Sequence, residues 1–304
     1  MPWEPIKTND GRLIPSIAFG TWTLGKGQDP IDQVEQGISV GFNHIDTAQL
    51  YKNEEEVGKA IRESGLARDE LWVTTKFSST ETDDVEVAIR NSLRYLGLDY
   101  VDLYLVHWPR IAKPDIPTFW AKMEKIHAQG LAKSIGVSNF DVPSLEILLA
   151  SAKVKPVANQ IRLHPYLYAE QRPTMDLCAK HGIIIEAYSA LIPITKQPGG
   201  PLDAPMNAIA ARLGASPDQV LLAWVKAKGA ISVTTSSKKY RLEGYLNAGD
   251  ITLTSQDVAA LDAAGAAQNA WIGRAKAVGF AGWRIAQVFA TMLAAYKLAE
   301  MFML

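Results

Sequence analysis

The 304-residue chain has a single cysteine, Cys178, and almost no net charge: 31 basic residues stand against 32 acidic ones. One thiol rules out a disulfide framework and denies a cysteine-based zinc site its ligands. A reducing compartment, most simply the cytoplasm, suits such a chain. A formal charge of −1 leaves no basic excess for nucleic acid. There is no His-x-x-x-His pair to carry a helix-borne metal, and no Gly-x-Gly-x-x-Gly turn after an early strand. The second absence counts against a doubly wound open sheet. The opening MPWEPIKTNDGRLIP lacks the apolar stretch of a secretory signal.

Long hydrophobic runs are missing too. The stretch 271–304 is rich in Ala, Phe, Met and Leu, but Arg284, Lys297 and Glu300 interrupt it. Its uncharged part falls well short of the roughly 20 residues needed to span a bilayer. Ile285, Val288, Phe289, Met292 and Tyr296 recur at helical spacing, which predicts an extra C-terminal helix with one apolar face. Packing on the body or on a second subunit is the simpler use for that face. A peripheral membrane contact is the rival, because Arg274, Lys276, Arg284 and Lys297 supply basic flanks. The chain is expected to be a monomer or a homodimer.

What is present is alternation. Short apolar runs at 17–20, 42–45, 72–75, 101–106, 133–137, 156–159, 183–187 and 230–234 read as strands buried on both faces. Helical patterns lie between them at 32–40, 53–63, 84–96, 118–129, 143–151, 172–181, 206–213 with 217–228, and 240–246. Eight strands spaced by helices predict an α/β fold, a (β/α)8 TIM barrel, as one domain with the barrel over about 5–262. Ile6, Lys7, Leu13 and Ile14 flank Asn9-Asp10-Gly11, which predicts an N-terminal β-hairpin capping the closed bottom.

Barrel chemistry comes from the C-terminal strand ends and the loops that follow. Those positions are strongly polar here. Thr21 and Trp22 follow the first strand, and Asp46, with Tyr51 in the same loop, the second. Lys76 ends the third and His107 the fourth; Ser138 and Asn139 end the fifth and Gln160 the sixth. Tyr188 and Ser189 follow the seventh, and Thr235, Ser236 and Ser237 the eighth. Each has an ordinary explanation alone: a helix cap for Asp46, a surface aromatic for Tyr51, a solvated strand end for Lys76, a core imidazole for His107. Their gathering on one rim does not. Tyrosine holds its proton at neutral pH and can donate it to the alkoxide that carbonyl reduction creates. A neighbouring Lys76 ammonium is expected to lower the phenol's pKa, with Asp46 holding the lysine and His107 orienting the carbonyl. No metal is required.

These residues also resemble the aldo-keto reductase family. Gly41-Phe42-Asn43-His44-Ile45-Asp46-Thr47-Ala48, followed by Tyr51, Glu54, Val57 and Gly58, is similar to one family signature, with Asn43 where arginine is usual. Ala132-Lys133-Ser134-Ile135-Gly136-Val137-Ser138-Asn139-Phe140 is similar to a second. His107-Trp108-Pro109, Asn159-Gln160, His164-Pro165-Tyr166 and Ala187-Tyr188-Ser189 follow in the family's order, so that the resemblance covers about 5–262. It implies a catalytic tetrad of Asp46, Tyr51, Lys76 and His107, with Tyr51 as general acid. It further implies that Ser138, Asn139 and Gln160 hold the nicotinamide carboxamide and that Tyr188 stacks on the ring. Thr21, Trp22, Asp46, Ser189 and Leu191 join the cofactor side, and Trp22, Tyr51, Phe77, His107 and Trp108 line the carbonyl pocket. His164 is a retained residue better read as structural.

The far end of the cofactor matches least. The family usually has Pro-Lys-Ser with an arginine five residues beyond the serine, gripping the adenosine 2′-phosphate. Here Thr235 replaces that lysine, Ser236 and Arg241 keep the spacing, Ser237 follows, and Lys238 or Lys239 can supply the missing ammonium. Arg241 offers a planar fork for phosphate, which favours NADPH over NADH. Pro193, Pro198, Pro201 and Pro205, with Gly199 and Gly200, predict an ordered loop beside the cofactor pyrophosphate. The loop after Trp108 is short and the pocket aromatic, which favours aromatic, α-dicarbonyl or ketolactone substrates over sugars. Two other classes compete: a Schiff-base lyase using Lys76, and a non-catalytic cofactor-binding subunit.

Overall fold

The structure, a computed structural model, describes residues 3–268, so the predicted helix within 271–304 lies outside the described residues. The hairpin comes first: β1 (Ile6–Lys7) pairs antiparallel with β2 (Leu13–Ile14). The barrel then begins with β3 (Ile17–Gly20), α1 (Gln28–Val40), β4 (His44–Asp46) and α2 (Glu54–Glu63). It continues with β5 (Trp72–Phe77), α3 (Val85–Leu96), β6 (Val101–Val106), α4 (Ile116–Ala128), β7 (Ala132–Ser138) and α5 (Val142–Leu149). Next come β8 (Ala158–Arg162), α6 (Pro165–Lys180), β9 (Ile184–Tyr188) and the short α7 (Ile192–Thr195). Finally α8 (Asp203–Leu213), α9 (Pro217–Ala227), β10 (Ile231–Thr234), α10 (Lys239–Asn247) and α11 (Ser255–Ala266) complete the described chain.

Strands β3 to β10 pair in parallel, and β10 closes on β3, giving the eight-stranded barrel. The strands are buried on both faces because one face packs inside the barrel and the other against helices. Asp84, Asp115 and Asp141 accept backbone N–H bonds at the starts of α3, α4 and α5. Such side-chain caps mark where a strand's loop gives way to a helix. The outward faces merge with the helices into one large core, whereas Trp72, Leu103, Leu105, Ile184 and Ile231 fill the lower interior. Ile14, fully buried, plugs that interior from below. Ser134 donates to Asp10, Asn9 to the Pro156 carbonyl and Arg12 to Asp102, so the hairpin seals the bottom.

Two helices depart from expectation. α6 starts at Pro165 rather than near 172: proline suits a first helical turn, and the apolar spacing that marks a helix is weak over its first half. α11 carries so many alanines that its apolar face is faint, yet it packs along α6. A Cβ on Gly265 would lie 2.1 Å from the Pro165 carbonyl oxygen, so only glycine allows that approach. Among the described residues no helix is long and apolar enough to cross a membrane.

Candidate active site

Strand alternation decides which side chains reach the barrel axis. On β5 the buried polar Lys76 turns inward, so Phe77 points outward into the helical core and packs on Phe119 with ring centroids 5.1 Å apart. Phe77 therefore does not line the cavity, a correction to the sequence reading that follows from the two-residue period. Thr21 is also fully buried away from it, and its carbonyl accepts a bond from Asn53, which ties the loop after β3 to the one after β4. Lys76 lies beneath the cavity floor rather than on it.

That floor is a hydrogen-bonded chain. The Lys76 ammonium donates to Asp46 Oδ1 at 2.6 Å, the Thr47 carbonyl at 2.9 Å and the Tyr51 hydroxyl at 3.3 Å. All three of its hydrogens are thus committed. Asp46 Oδ2 accepts in turn from Gln160 Nε2 at 2.8 Å. Burial works against the Lys76 charge, but Asp46 and Tyr51 outweigh it and hold the ammonium above its ordinary pKa.

The Tyr51 phenol departs from expectation. Burial pushes its pKa up to about 12, Lys76 pulling it back only in part. Desolvation thus exceeds the ammonium's effect, and the hydroxyl keeps its proton throughout the working range of pH. His107 takes the opposite course for the same reason: burial, with help from Lys76 and Arg110, lowers its pKa to about 2 and leaves the ring neutral. Its Nδ1 lies 2.7 Å from Ser78 Oγ, and its ring stacks on Trp108 at 3.8 Å. Trp22, half-exposed, meets Tyr51 edge-on at 4.9 Å.

Above this floor opens a cavity of about 730 Å³. Its walls include Asp46, Tyr51, His107, Trp108, Ser138, Asn139, Gln160, Tyr188, Ser189 and Leu191, with Trp22 at the mouth. Asn139 adopts a left-handed backbone (φ 60°), which asparagine tolerates better than most residues. Its Nδ2 donates to the His107 carbonyl and its Oδ1 accepts from the Tyr188 hydroxyl, joining three strand ends. Ser138 Oγ donates to the Gln160 carbonyl. Thr235, Ser236, Ser237 and Arg241 line the far end, while Lys238 and Lys239 are exposed outside it. Arg241 pairs with Asp218 at 3.2 Å, and Thr235 Oγ1 is buried without a hydrogen-bond partner among the described residues.

Sequence reasoning missed several wall residues, among them Leu50, Arg162, Lys196 and Tyr245. It also missed Ser78 and Glu186, buried polar residues bonded to the wall residues His107 and Gln160. Their signal was available in principle: Glu186 shares strand parity with Tyr188, and Ser78 follows Lys76 by two.

Known proteins bear on this arrangement. The model of the Aldo/keto reductase family matches residues 16–266. An NAD/NADP-dependent indole-3-acetaldehyde reductase of Schizosaccharomyces pombe is 38% identical, over 82% of this chain and 90% of its own. A glyoxal reductase of Bacillus subtilis is 36% identical over 86% of this chain and 92% of its own. The crystal structure of a Bombyx mori aldo-keto reductase in complex with NADP superposes with a TM-score of 0.79 at 34% identity, covering 86% of this chain and 92% of that one. An aldo/keto reductase from Brucella melitensis gives 0.78 at 36% identity, over 86% and 98% of the two chains. With the family model spanning the whole barrel and relatives of this similarity covering most of it, the chain belongs to the aldo/keto reductase family, oxidoreductases that act on carbonyls with a nicotinamide cofactor.

Proposed function

We propose that this protein reduces an aldehyde or ketone on a small molecule to the alcohol, with NADPH as reductant and Tyr51 as general acid. One observation carries the reading: Lys76 donates to the Tyr51 oxygen, so the phenol's own proton remains free for the cavity. When bound, NADPH supplies the hydride. Tyr51 donates its proton to the carbonyl oxygen as charge develops there, and the Lys76 ammonium stabilises the phenolate left behind. Asp46 keeps Lys76 charged and in place. Neutral His107 orients the carbonyl by a hydrogen bond, while Trp22 and Trp108 give the pocket apolar walls.

The cavity suits the cofactor at both ends. Gln160, Ser138 and Asn139 would hold the carboxamide, and Tyr188 the ring. Arg241, Ser236, Ser237 and the Thr235 hydroxyl would meet the adenosine phosphate. The exposed Lys238 and Lys239 contribute general positive charge rather than a contact. NADPH is favoured, with the preference softened because Thr235 carries no charge and Arg241 is shared with Asp218. The aromatic mouth favours aromatic aldehydes or α-dicarbonyls, in keeping with the names of the two relatives above. We take the barrel, about 5–262, to form one cytoplasmic domain, in a monomer or a homodimer.

The lyase alternative requires a nucleophilic lysine, but the Lys76 nitrogen is charged, fully buried and triply bonded. The deciding experiment follows oxidation of NADPH and of NADH against a panel of an aromatic aldehyde, an α-diketone and an open-chain sugar. Tyr51→Phe should lower kcat by about 10²- to 10⁴-fold while still binding cofactor. Full activity in that variant, or a clear sugar preference, would overturn the acid or the substrate class respectively.

A further inference from the structure

Beneath the cavity floor, in the buried interior of the barrel, lies a carboxyl group that the reduction does not use. Glu186 sits on β9 level with Ile231 of β10 and Gln160 of β8, and it is 0% exposed. Its Oε2 accepts a bond from Gln160 Nε2 at 2.7 Å, while the same nitrogen donates to Asp46 Oδ2 at 2.8 Å. Its Oε1 is buried with no hydrogen-bond partner among the described residues. Burial and the facing Asp46 raise its pKa to about 7, Gln160 and Lys76 opposing.

An amide nitrogen has two hydrogens, and here one goes to an oxygen of Asp46 and one to an oxygen of Glu186. Reversing the amide would aim its carbonyl oxygen at Asp46 Oδ2 and Glu186 Oε2 in place of two donated hydrogens, which disfavours the reversed orientation. The terminal torsion of glutamine is otherwise broad. Asp46 takes one amide hydrogen through Oδ2, its Oδ1 being committed to Lys76, and Glu186 takes the other. An aliphatic residue level with Ile231 would fill the interior without burying a carboxyl group, so an acid here needs a use.

We infer that Glu186 is a positioning residue for the cofactor: with Asp46 it locks the Gln160 amide so that its carbonyl oxygen faces the cavity, ready to accept a hydrogen bond from the nicotinamide carboxamide NH₂. The inference rests on the reading of Gln160 as a carboxamide-holding residue. It assigns to Glu186 an effect on the nicotinamide end of the cofactor and none on the adenosine end.

The test is binding rather than turnover. Titration of folded Glu186→Met with NADP⁺, followed by tryptophan fluorescence, should show affinity lowered about tenfold, the cost of one well-placed hydrogen bond. Binding of 2′,5′-ADP, which lacks nicotinamide, should not change. The 3-acetylpyridine analogue of NADP⁺, which has a methyl in place of the amide nitrogen, should lose little. Glu186→Gln, which keeps a neutral acceptor, should stay within about threefold of the parent. Gln160→Leu is the control and should discriminate among the three ligands as Glu186→Met does. If Gln160→Leu does not discriminate, the carboxamide reading fails. If it does while Glu186→Met binds NADP⁺ normally, or weakens 2′,5′-ADP equally, the role of Glu186 is overturned. A measurement on the unaltered protein covers the case in which Glu186→Met does not fold. Both Gln160 side-chain amide protons should exchange slowly with solvent in the cofactor-free enzyme, and rapid exchange would also overturn it.

Discussion

Ser78 Oγ and His107 Nδ1 are 2.7 Å apart, both buried, on neighbouring strand ends of the barrel. That separation matches a hydroxyl donor better than a ring N–H donor, whose bonds centre nearer 2.9–3.0 Å. Among the described residues, the other acceptor bonded by the Ser78 hydroxyl, the Lys76 carbonyl, is 3.4 Å away. A neutral imidazole has one N–H, so a serine donating to Nδ1 leaves the ring proton on Nε2. Ser78→Ala should therefore allow both tautomers and reduce kcat/KM by roughly tenfold, about 1.4 kcal/mol. Imidazole ¹⁵N shifts should report a protonated Nε2 in the parent and a mixture in the variant; a parent ring protonated at Nδ1 would refute the assignment.

The Lys76–Asp46 pair is almost completely buried, with the two side chains 0% and 2% exposed. Removing one partner leaves the other charge buried without its counter-ion. Lys76→Met should destabilise the fold by ~3–5 kcal/mol, measured by urea unfolding, and Asp46→Leu by a similar amount. The double variant should recover part of that loss. Additive destabilisation would mean that the two charges are not coupled.

Glu54 is a second carboxyl whose pKa stands near 7, raised by burial on the outer side of the barrel despite bonds from Thr75 and Ser92. The folded state keeps this proton up to about pH 7, whereas an unfolded glutamate releases it near 4.5. Its contribution to stability is complete below the lower value and is lost as pH rises through the upper one. Glu54→Gln removes that loss. Relative to the parent, the variant should gain roughly 1–3 kcal/mol on going from about pH 5 to about pH 8. A pH-independent difference between the two melting curves would show that the carboxyl does not titrate in this range.

Arg241 lines the far end of the cavity and is shared with Asp218. Arg241→Ala should raise KM for NADPH about tenfold or more and leave KM for NADH nearly unchanged, since only the former carries the 2′-phosphate. Asp218→Asn frees the guanidinium and should shift preference the other way. Equal effects on both cofactors would remove Arg241 from phosphate recognition.

Much of this was legible in the chain because barrel strands are short, apolar and regularly spaced. Eight such runs, each followed by a polar residue, indicate both the fold and the rim that bears the chemistry. Asp46, Tyr51, Lys76 and His107 stand out as polar groups following buried strands, and the signature segments around Asp46 and Ser138 name the family. Parity was the weaker guide. Phe77, next to Lys76, reads as a pocket aromatic until alternation turns it into the helical core.

The sequence by itself determined the barrel, the family and the identity of the polar groups on one rim, because those depend on local pattern and on motifs within single βα units. The tertiary structure alone decided how those groups act on one another. Whether Tyr51 is pulled down by Lys76 or pushed up by burial depends on solvent exclusion by residues far apart in the chain. Whether Gln160 has one orientation depends on Asp46 and Glu186, which are 140 positions apart by number (186 − 46) and meet only when the barrel closes. Hydrogen bonds across a closed barrel have no sequence period, so only the fold brings them into view.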